Sequence, residues 1–452
     1  MKFRISKDEK NIFINMLGAF AVKGGSLVIS VLLLPAYINF FDNQTMLGVW
    51  YTILSVLNWV GLFDLGLGNG LRNKLPSVIE KGDRLGVRKY ISTTYIAMVV
   101  IALLVCVAGL VIIPFVNWNS VLNVSAELIS GKDLASCISI VFFGIMLQLV
   151  LKIIIAILYA LQRSAIVNAL MLASNTIILI AVLLLPSYDL ATNLRNMSWV
   201  NVLATTVPYI VCTIVLFATS LKDAKPSPRF FEKDFVKDVL GIGITLLWLS
   251  LVFMVITAAN ELLITKLTSP DNVVYYQAYN KIFNTGAMII TLALTPIWSA
   301  VTKAQAKNDY PWIKKIYKLF LFATGGCFII ELCIIPFLQV IMNVWLREDA
   351  IAVDPRYALA FAVLSTIMIL HNVNTSIGNG MSYFRLQTVW MTIAAALFIP
   401  VSYVLVQLLN SWIGIIISAV ICVLPYEILA PIYTMKKLKN LISTAEKNSI
   451  KE

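Results

Sequence analysis

The chain has 452 residues, 60% hydrophobic and 13% charged, with mean hydropathy +0.87 and net charge +12. A soluble protein of this length would divide into two or three cored domains and carry about twice as many charges. All but three of its 35 Lys and Arg lie in separated short loops without an aromatic-flanked basic patch, which argues against a nucleic-acid partner.

Taken in order, the apolar residues form runs of about 20, the length that crosses a bilayer as helix. Twelve spans follow: 12–38, 46–66, 90–116, 136–161, 164–186, 199–220, 239–266, 273–300, 316–339, 357–380, 388–409 and 412–434. Lys2, Arg4, Lys7 and Lys10 precede the first, which lacks a small-x-small cleavage site and is expected to stay uncleaved. The stretch after span 2, 67–89, reads as a basic loop, its helix broken over Gly66, Gly68 and Gly70. Of the Lys and Arg, 27 fall on the side of the two termini and five on the other side (Lys132, Arg195, Lys266, Arg347 and Arg356). Lys/Arg excess marks the cytoplasmic side, so both termini are expected there. The six cysteines, Cys106, Cys137, Cys212, Cys327, Cys333 and Cys422, have no metal-type spacing and read as small buried hydrophobes.

The second half resembles the first in collinear order. Gly82-Asp83 followed by Arg88-Lys89 matches Asn308-Asp309 followed by Lys314-Lys315, and Ile112-Ile113-Pro114-Phe115 recurs as Ile334-Ile335-Pro336-Phe337. Trp50-Tyr51 matches Tyr275-Tyr276, Arg163 falls at Arg385, and Pro208-Tyr209 recurs as Pro425-Tyr426. Six spans per half make a parallel repeat, an architecture found in alternating-access transporters. The fold class predicted is an all-α polytopic membrane protein, about twelve transmembrane helices in two six-helix repeats around a central cavity. Residues 1–222 and 239–435 form the lobes, 223–238 a cytoplasmic linker and 436–452 a cytoplasmic tail.

Ionisable residues inside spans are costly and usually face a cavity or a partner. Lys23, Lys152 and Lys281 are therefore candidates for a cationic cavity holding an anion such as phosphate, against ion pairing or snorkelling. Lys23 lies about 16 Å into span 1, near the midplane. Glu261, Glu331 and Glu427 could carry a coupling proton or cation, or be paired or interfacial. His371, the only histidine, sits in His371-Asn372-Val373-Asn374, either as a titrating relay or as helix-packing glue. Asp64 could pair with Arg72 or another loop cation such as Lys74 at an inner gate, or be a plain helix-end charge. There is no Walker motif, His-Glu-x-x-His, nucleophile elbow or metal-ligand cluster, so no catalytic or metal-binding residue is assigned.

The run Phe63-Asp64-Leu65-Gly66-Leu67-Gly68-Asn69-Gly70-Leu71-Arg72-Asn73-Lys74 resembles the polysaccharide repeat-unit flippases, O-antigen flippases among them, of the multidrug/oligosaccharidyl-lipid/polysaccharide exporter superfamily. Length, twelve spans and the parallel repeat match along the whole chain. The resemblance implies movement of an undecaprenyl-pyrophosphate-linked oligosaccharide across a bacterial plasma (inner) membrane. It implies a non-enzymatic flippase without cofactor, with other polysaccharide assembly proteins as partners beside the lipid-linked oligosaccharide and the membrane; membrane potential, or counter-movement of H⁺ or Na⁺ through the carboxylates, could supply direction. The cationic lumen it implies would fall on Lys23, Lys152 and Lys281.

Three rivals are set against it. A cation-coupled multidrug efflux antiporter predicts acidic deep charges, whereas these are mainly Lys. A major facilitator transporter is suggested by Asp83-Arg84-Leu85-Gly86-Val87-Arg88-Lys89, which carries an extra residue before its basic pair. A membrane polysaccharide polymerase or ligase would want a large outer loop, and the segments 117–135 and 340–356 are short.

Overall fold

A computed structural model describes residues 7–60, 66–161, 163–235, 243–306, 308–381 and 383–449, and every regular element among them is helical. Ten stretches among them are long and apolar enough to cross a membrane. The second expected span appears as the shorter apolar helix Gln44–Leu57. The eighth lies within a 36-residue helix, Asp271–Ala306, whose first half carries Asn272, Gln277, Asn280, Lys281 and Asn284. Large apolar side chains stand outward in rows, such as Leu103, Leu104, Val107, Leu110 and Val111. A row of that kind is stable only against hydrocarbon or a partner, and the chain is a multi-pass membrane protein.

The chain divides into two compact units, Met1–Leu247 and Trp248–Glu452. The first holds α1 (Lys7–Phe41), α2 (Gln44–Val60), α3 (Leu67–Glu80), α4 (Arg84–Ile112) and the short α5 (Trp118–Val121). Then come α6 (Gly131–Leu151), α7 (Ile153–Ala160), α8 (Ser164–Leu184) and α9 (Leu190–Ala218). Helix α1 packs on α8, and α6 on α9. Lipid is as apolar as leucine, so such helices associate through close packing and hydrogen bonds. Gly144 of α6 allows that closeness, since a Cβ there would run into the Val202 side chain of α9. One turn on, Gln148 donates to Thr205 Oγ1 at 2.5 Å.

The second unit takes most of α10 (Gly243–Thr257), then α11 (Asn260–Leu267), α12 (Asp271–Ala306) and α13 (Tyr310–Ile334). It continues with α14 (Leu338–Leu346), α15 (Pro355–Gly380), α16 (Phe384–Leu409) and α17 (Ile413–Ser449). Helix α15 lies against α12, α13 and α17.

The matched sequence segments take matched shapes. Gly82 (φ +69°) and Asn308 (φ +56°) are both left-handed, a conformation Gly and Asn adopt most readily. Each is followed by an aspartate N-cap: Asp83 accepts from the Gly86 amide at 2.8 Å, and Asp309 from the Trp312 amide at 3.1 Å. Each capped helix ends in a 3₁₀ turn built on Ile-Pro-Phe, Ile113–Phe115 and Ile335–Phe337, where proline supplies no amide to continue the helix.

Of the six cysteines expected to be buried only Cys137 and Cys422 are, and four features of the helices also differ from the sequence expectation. The basic loop after span 2 is largely the helix α3: the chain turns at Gly66 (φ +76°), and Gly68 and Gly70 lie inside the helix. Leu67, Leu71 and Leu75, four residues apart, are all buried, and this stripe outweighs the low helix propensity of the glycines. Span 4 is interrupted at Lys152, between α6 and α7. Span 7 is interrupted at Ala258 and Ala259, between α10 and α11. The last span continues without a break through α17 into the stretch expected as a tail.

The stretch expected as a linker is strapped to the start of α4. Ser92 Oγ accepts from the Ser227 amide and Thr93 Oγ1 from the Glu232 amide, each at 3.1 Å. Lys89 pairs with Glu232 at 2.6 Å, the Arg88 guanidinium lies over the Phe230 ring, and Tyr90 stacks on Phe235 at 4.2 Å. Arg84 reaches Asp223 at 3.3 Å in an exposed pair. Several charges that suggested a free basic loop are therefore engaged within the protein.

Candidate functional site

The second unit gathers buried polar chemistry around α15. His371 is an interior residue of that helix, and its Nδ1 lies 2.8 Å from Glu427 Oε1 on α17. The other carboxylate oxygen accepts from Asn374 Nδ2 at 2.6 Å, and Asn374 Oδ1 accepts from the Tyr317 hydroxyl at 2.5 Å. His371 and Asn374 stand three residues apart on one face of α15, which lets both reach the same carboxylate. Glu427 is 1% exposed and His371 4%. One face of the imidazole is covered by Phe253, stacked at 4.7 Å between centroids and 8° between planes.

Glu331 of α13, 5% exposed, is held in another way. Ser365 donates to its Oε1 at 2.5 Å and Thr366 to its Oε2 at 2.9 Å, both from α15. Glu261 stands in the first turn of α11, next to the break in span 7, where the helix dipole favours negative charge. It is 9% exposed and accepts from Gln277 Nε2 of α12 at 3.0 Å. All three expected carboxylates are thus buried and hydrogen-bonded.

Between these groups lies a cavity of about 340 Å³ within the second unit. Ser365, which holds Glu331, and Phe253, which covers His371, both line it. His371, Glu427, Asn374 and Tyr317 thus form one buried hydrogen-bonded chain that ties α13, α15 and α17 together. No group of acidic, histidine or cysteine side chains that could hold a metal occurs among the described residues.

The lysines stand apart from this cluster. Lys152 sits at the interruption of span 4 and is exposed. Lys281 is half-buried on α12, and its carbonyl accepts from Thr285 Oγ1 at 2.6 Å. Lys23 falls on α1, but its side chain is outside the described ones, and Asp64 is outside the described residues. Arg72 lies over the Tyr159 ring of α7, 4.2 Å from its centroid, and Lys74 is half-buried on α3. The structure joins His371 with Glu427, two residues that sequence reasoning named separately. Asn374 was legible as the i+3 neighbour of His371. Gln277, Ser365, Thr366 and Tyr317 come from other helices, and no spacing announces them.

No protein-family model matches the chain, and no curated protein matches its sequence. Solved structures do match its fold. An inward-facing multidrug resistance MATE family transporter of the MOP superfamily superposes with a TM-score of 0.76 at 14% identity, covering 95% of this chain and 99% of that one. An outward-facing structure of the same description gives 0.63 at 15%, covering 95% and 94%. A MOP superfamily transporter from Pyrococcus furiosus gives 0.61 at 14%, covering 95% and 94%. The chain has a MATE-like fold built of two repeats.

Proposed function

We propose that this chain is a transporter that turns a polyprenyl-pyrophosphate-linked oligosaccharide from the cytoplasmic to the outer leaflet of a bacterial plasma membrane, for O-antigen or other surface polysaccharide synthesis. Its two lobes would alternate access to the substrate, with both termini in the cytoplasm and other assembly proteins handing on the product. The observation that carries this reading is the sign of the exposed charge at the interruption of span 4. Glu261, Glu331 and Glu427 are buried and engaged by neighbours, whereas Lys152 is exposed at a bend in a transmembrane span. A lipophilic cation is served by an available carboxylate or by aromatic faces, and an exposed lysine repels it. A pyrophosphate suits a lysine, whose ammonium is a compact, movable point charge.

A transported headgroup cannot cross hydrocarbon without replacement of its hydration shell. In this reading Lys23, Lys152 and Lys281 supply that replacement, while Arg72 and Lys74 on α3, with Asp64, attract or gate the headgroup on the cytoplasmic side. The His371–Glu427 pair supplies coupling by taking up and releasing a proton, with Glu331 and Glu261 as further ion-responsive sites; Na⁺ is the alternative ion. The Pyrococcus furiosus structure carries the words "reverse polarity of binding pocket suggests different function", which supports treating pocket polarity as a guide to substrate in this fold. A second reading, cation-coupled multidrug efflux, is favoured by the multidrug description of the other matching transporters.

The test is a proteoliposome assay in which an added glycosidase, unable to enter, reads the exposure of a lipid-linked oligosaccharide. Access of the enzyme to the inner pool supports the flippase. Continued protection of several glycans, together with movement of a lipophilic cation, supports efflux instead.

A further inference from the structure

The cavity of about 340 Å³ in the second unit has a lining that suits a ligand of particular chemistry. Four amide side chains, Asn260, Asn280, Asn284 and Asn372, line it together with aromatic rings that include Phe253 and Tyr276. Among the described residues the lining carries no formal charge. A pyrophosphate site would present Lys or Arg; an organic cation can be held by aromatic faces, but it has no use for four amide groups, which suit a ligand rich in hydroxyl groups.

Asn260 gives a second, independent observation. It is 3% exposed, and its Nδ2 donates to the Thr257 carbonyl at 3.2 Å and meets the Tyr276 hydroxyl at 3.3 Å. A carbonyl only accepts, so this contact fixes which end of the amide is the NH₂ group. The opposite end, Oδ1, is buried with no hydrogen-bond partner. A buried acceptor left unsatisfied costs about 1–3 kcal/mol, so a ligand hydroxyl that draws this amide round to face the cavity is stabilising.

We infer that this cavity is a binding subsite for a neutral sugar ring, the Asn260 Oδ1 acceptor and the neighbouring amides taking its hydroxyl groups while the aromatic rings pack on its C–H faces. A pyranose combines hydroxyl groups around its rim with apolar faces, and the lining offers both kinds of partner. The volume lies at the low end for small-molecule sites, enough for a short glycan segment but not for a repeat unit with its carrier. The inference rests on the proposed transport of a glycan and makes it specific: charge would hold the pyrophosphate, and this uncharged cavity would hold a sugar. Phe253 both lines the cavity and stacks on His371, so a bound ring would rest on the side chain that covers the His371–Glu427 pair.

The test is binding of methyl glycosides by the full chain in lipid nanodiscs, measured by saturation-transfer NMR. The panel holds the gluco, galacto, manno and N-acetylgluco forms. We expect saturable binding of at least one, weakened about fivefold in Asn260→Ala and in Asn284→Ala, the loss of about one hydrogen bond. Asn284 is exposed, so its variant remains informative if Asn260→Ala fails to fold. Absence of saturable binding across the panel, in a preparation that still flips lipid-linked oligosaccharide, overturns the subsite and leaves the transport reading intact. Displacement of a bound sugar by tetraphenylphosphonium, with that cation retained by the same residues, overturns the subsite in favour of an organic-cation site. Sugar binding without lipid flipping upholds the subsite and removes the flippase.

Discussion

The two units repeat one fold with different interiors. In the second, Glu261, Glu331, Glu427 and His371 are all buried and each is hydrogen-bonded, His371 to Glu427 and the other two carboxylates to partners of their own. In the first, no carboxylate among the described residues is buried, and Lys152 stands exposed at the interruption of span 4. The interruptions differ as well, at Lys152 in span 4 of one half and at Ala258–Ala259 in span 7 of the other. Duplication kept what makes the helices, namely the aspartate caps and the Ile-Pro-Phe turns, while the interiors diverged. The difference that matters is in the acids: the buried carboxylates among the described residues all lie in the second unit, whereas the lysines within spans are shared, Lys23 and Lys152 in the first and Lys281 in the second.

The largest expected effect breaks that asymmetry at Glu427. Glu427→Ala leaves His371 and Asn374 without their buried partner, and should destabilise the protein by about 3–5 kcal/mol, seen as a lower detergent Tm. Glu427→Gln keeps the shape and should insert normally, yet lower transport about tenfold and flatten its dependence on a proton gradient. A Gln variant with an unchanged gradient response would remove the pair from coupling.

Next, Lys152→Ala and Lys281→Ala should each reduce transport several-fold without lowering the amount of inserted protein. Unchanged transport in both would sink the cationic part of the mechanism and leave the fold untouched. Gly144→Ile should separate α6 from α9 and lower Tm, by about 1–3 kcal/mol of overpacking, while leaving the second unit's binding properties alone.

Smaller again, Ser365→Ala should cost about 0.5–1.5 kcal/mol through the lost bond to Glu331, readable as a modest Tm decrease. The smallest effect belongs to Asp189, exposed at the N-cap of α9. The Thr192 side chain and amide hold its carboxyl below the ordinary aspartate range. A carboxyl depressed in the folded state stabilises above its unfolded value and loses that contribution as pH falls through the folded one. Wild type should therefore lose slightly more Tm than Asp189→Asn on acidification below about pH 4.

Much of this architecture was legible in the sequence because hydrophobic length and loop charge act locally. The collinear matches pointed to real structural equivalents: Asp83 and Asp309 do the same capping work. The helix α3 was hidden because three glycines suggested a break, whereas the Leu67, Leu71 and Leu75 stripe decides the outcome through tertiary burial. At the site, intramembrane charge alone named Glu261, Glu331, His371 and Glu427. Their partners were not legible: Ser365 meets Glu331 from a residue 34 positions away, and Gln277 meets Glu261 across the turn between two helices. The cavity amides were equally silent, because an asparagine in a span reads the same whether it binds another helix or a ligand.

The strap between the halves has a practical consequence. Residues 222–235 look in sequence like a spacer in which to place a tag, a fluorescent protein or a protease site. Yet Ser92, Thr93, Arg88, Lys89 and Tyr90 all hold that stretch against α4. An insertion there would peel away an anchored seam, and a chain nicked between Phe230 and Glu232 would keep contacts on both sides of the cut. Cleavage in this region would therefore not by itself report separation of the fragments.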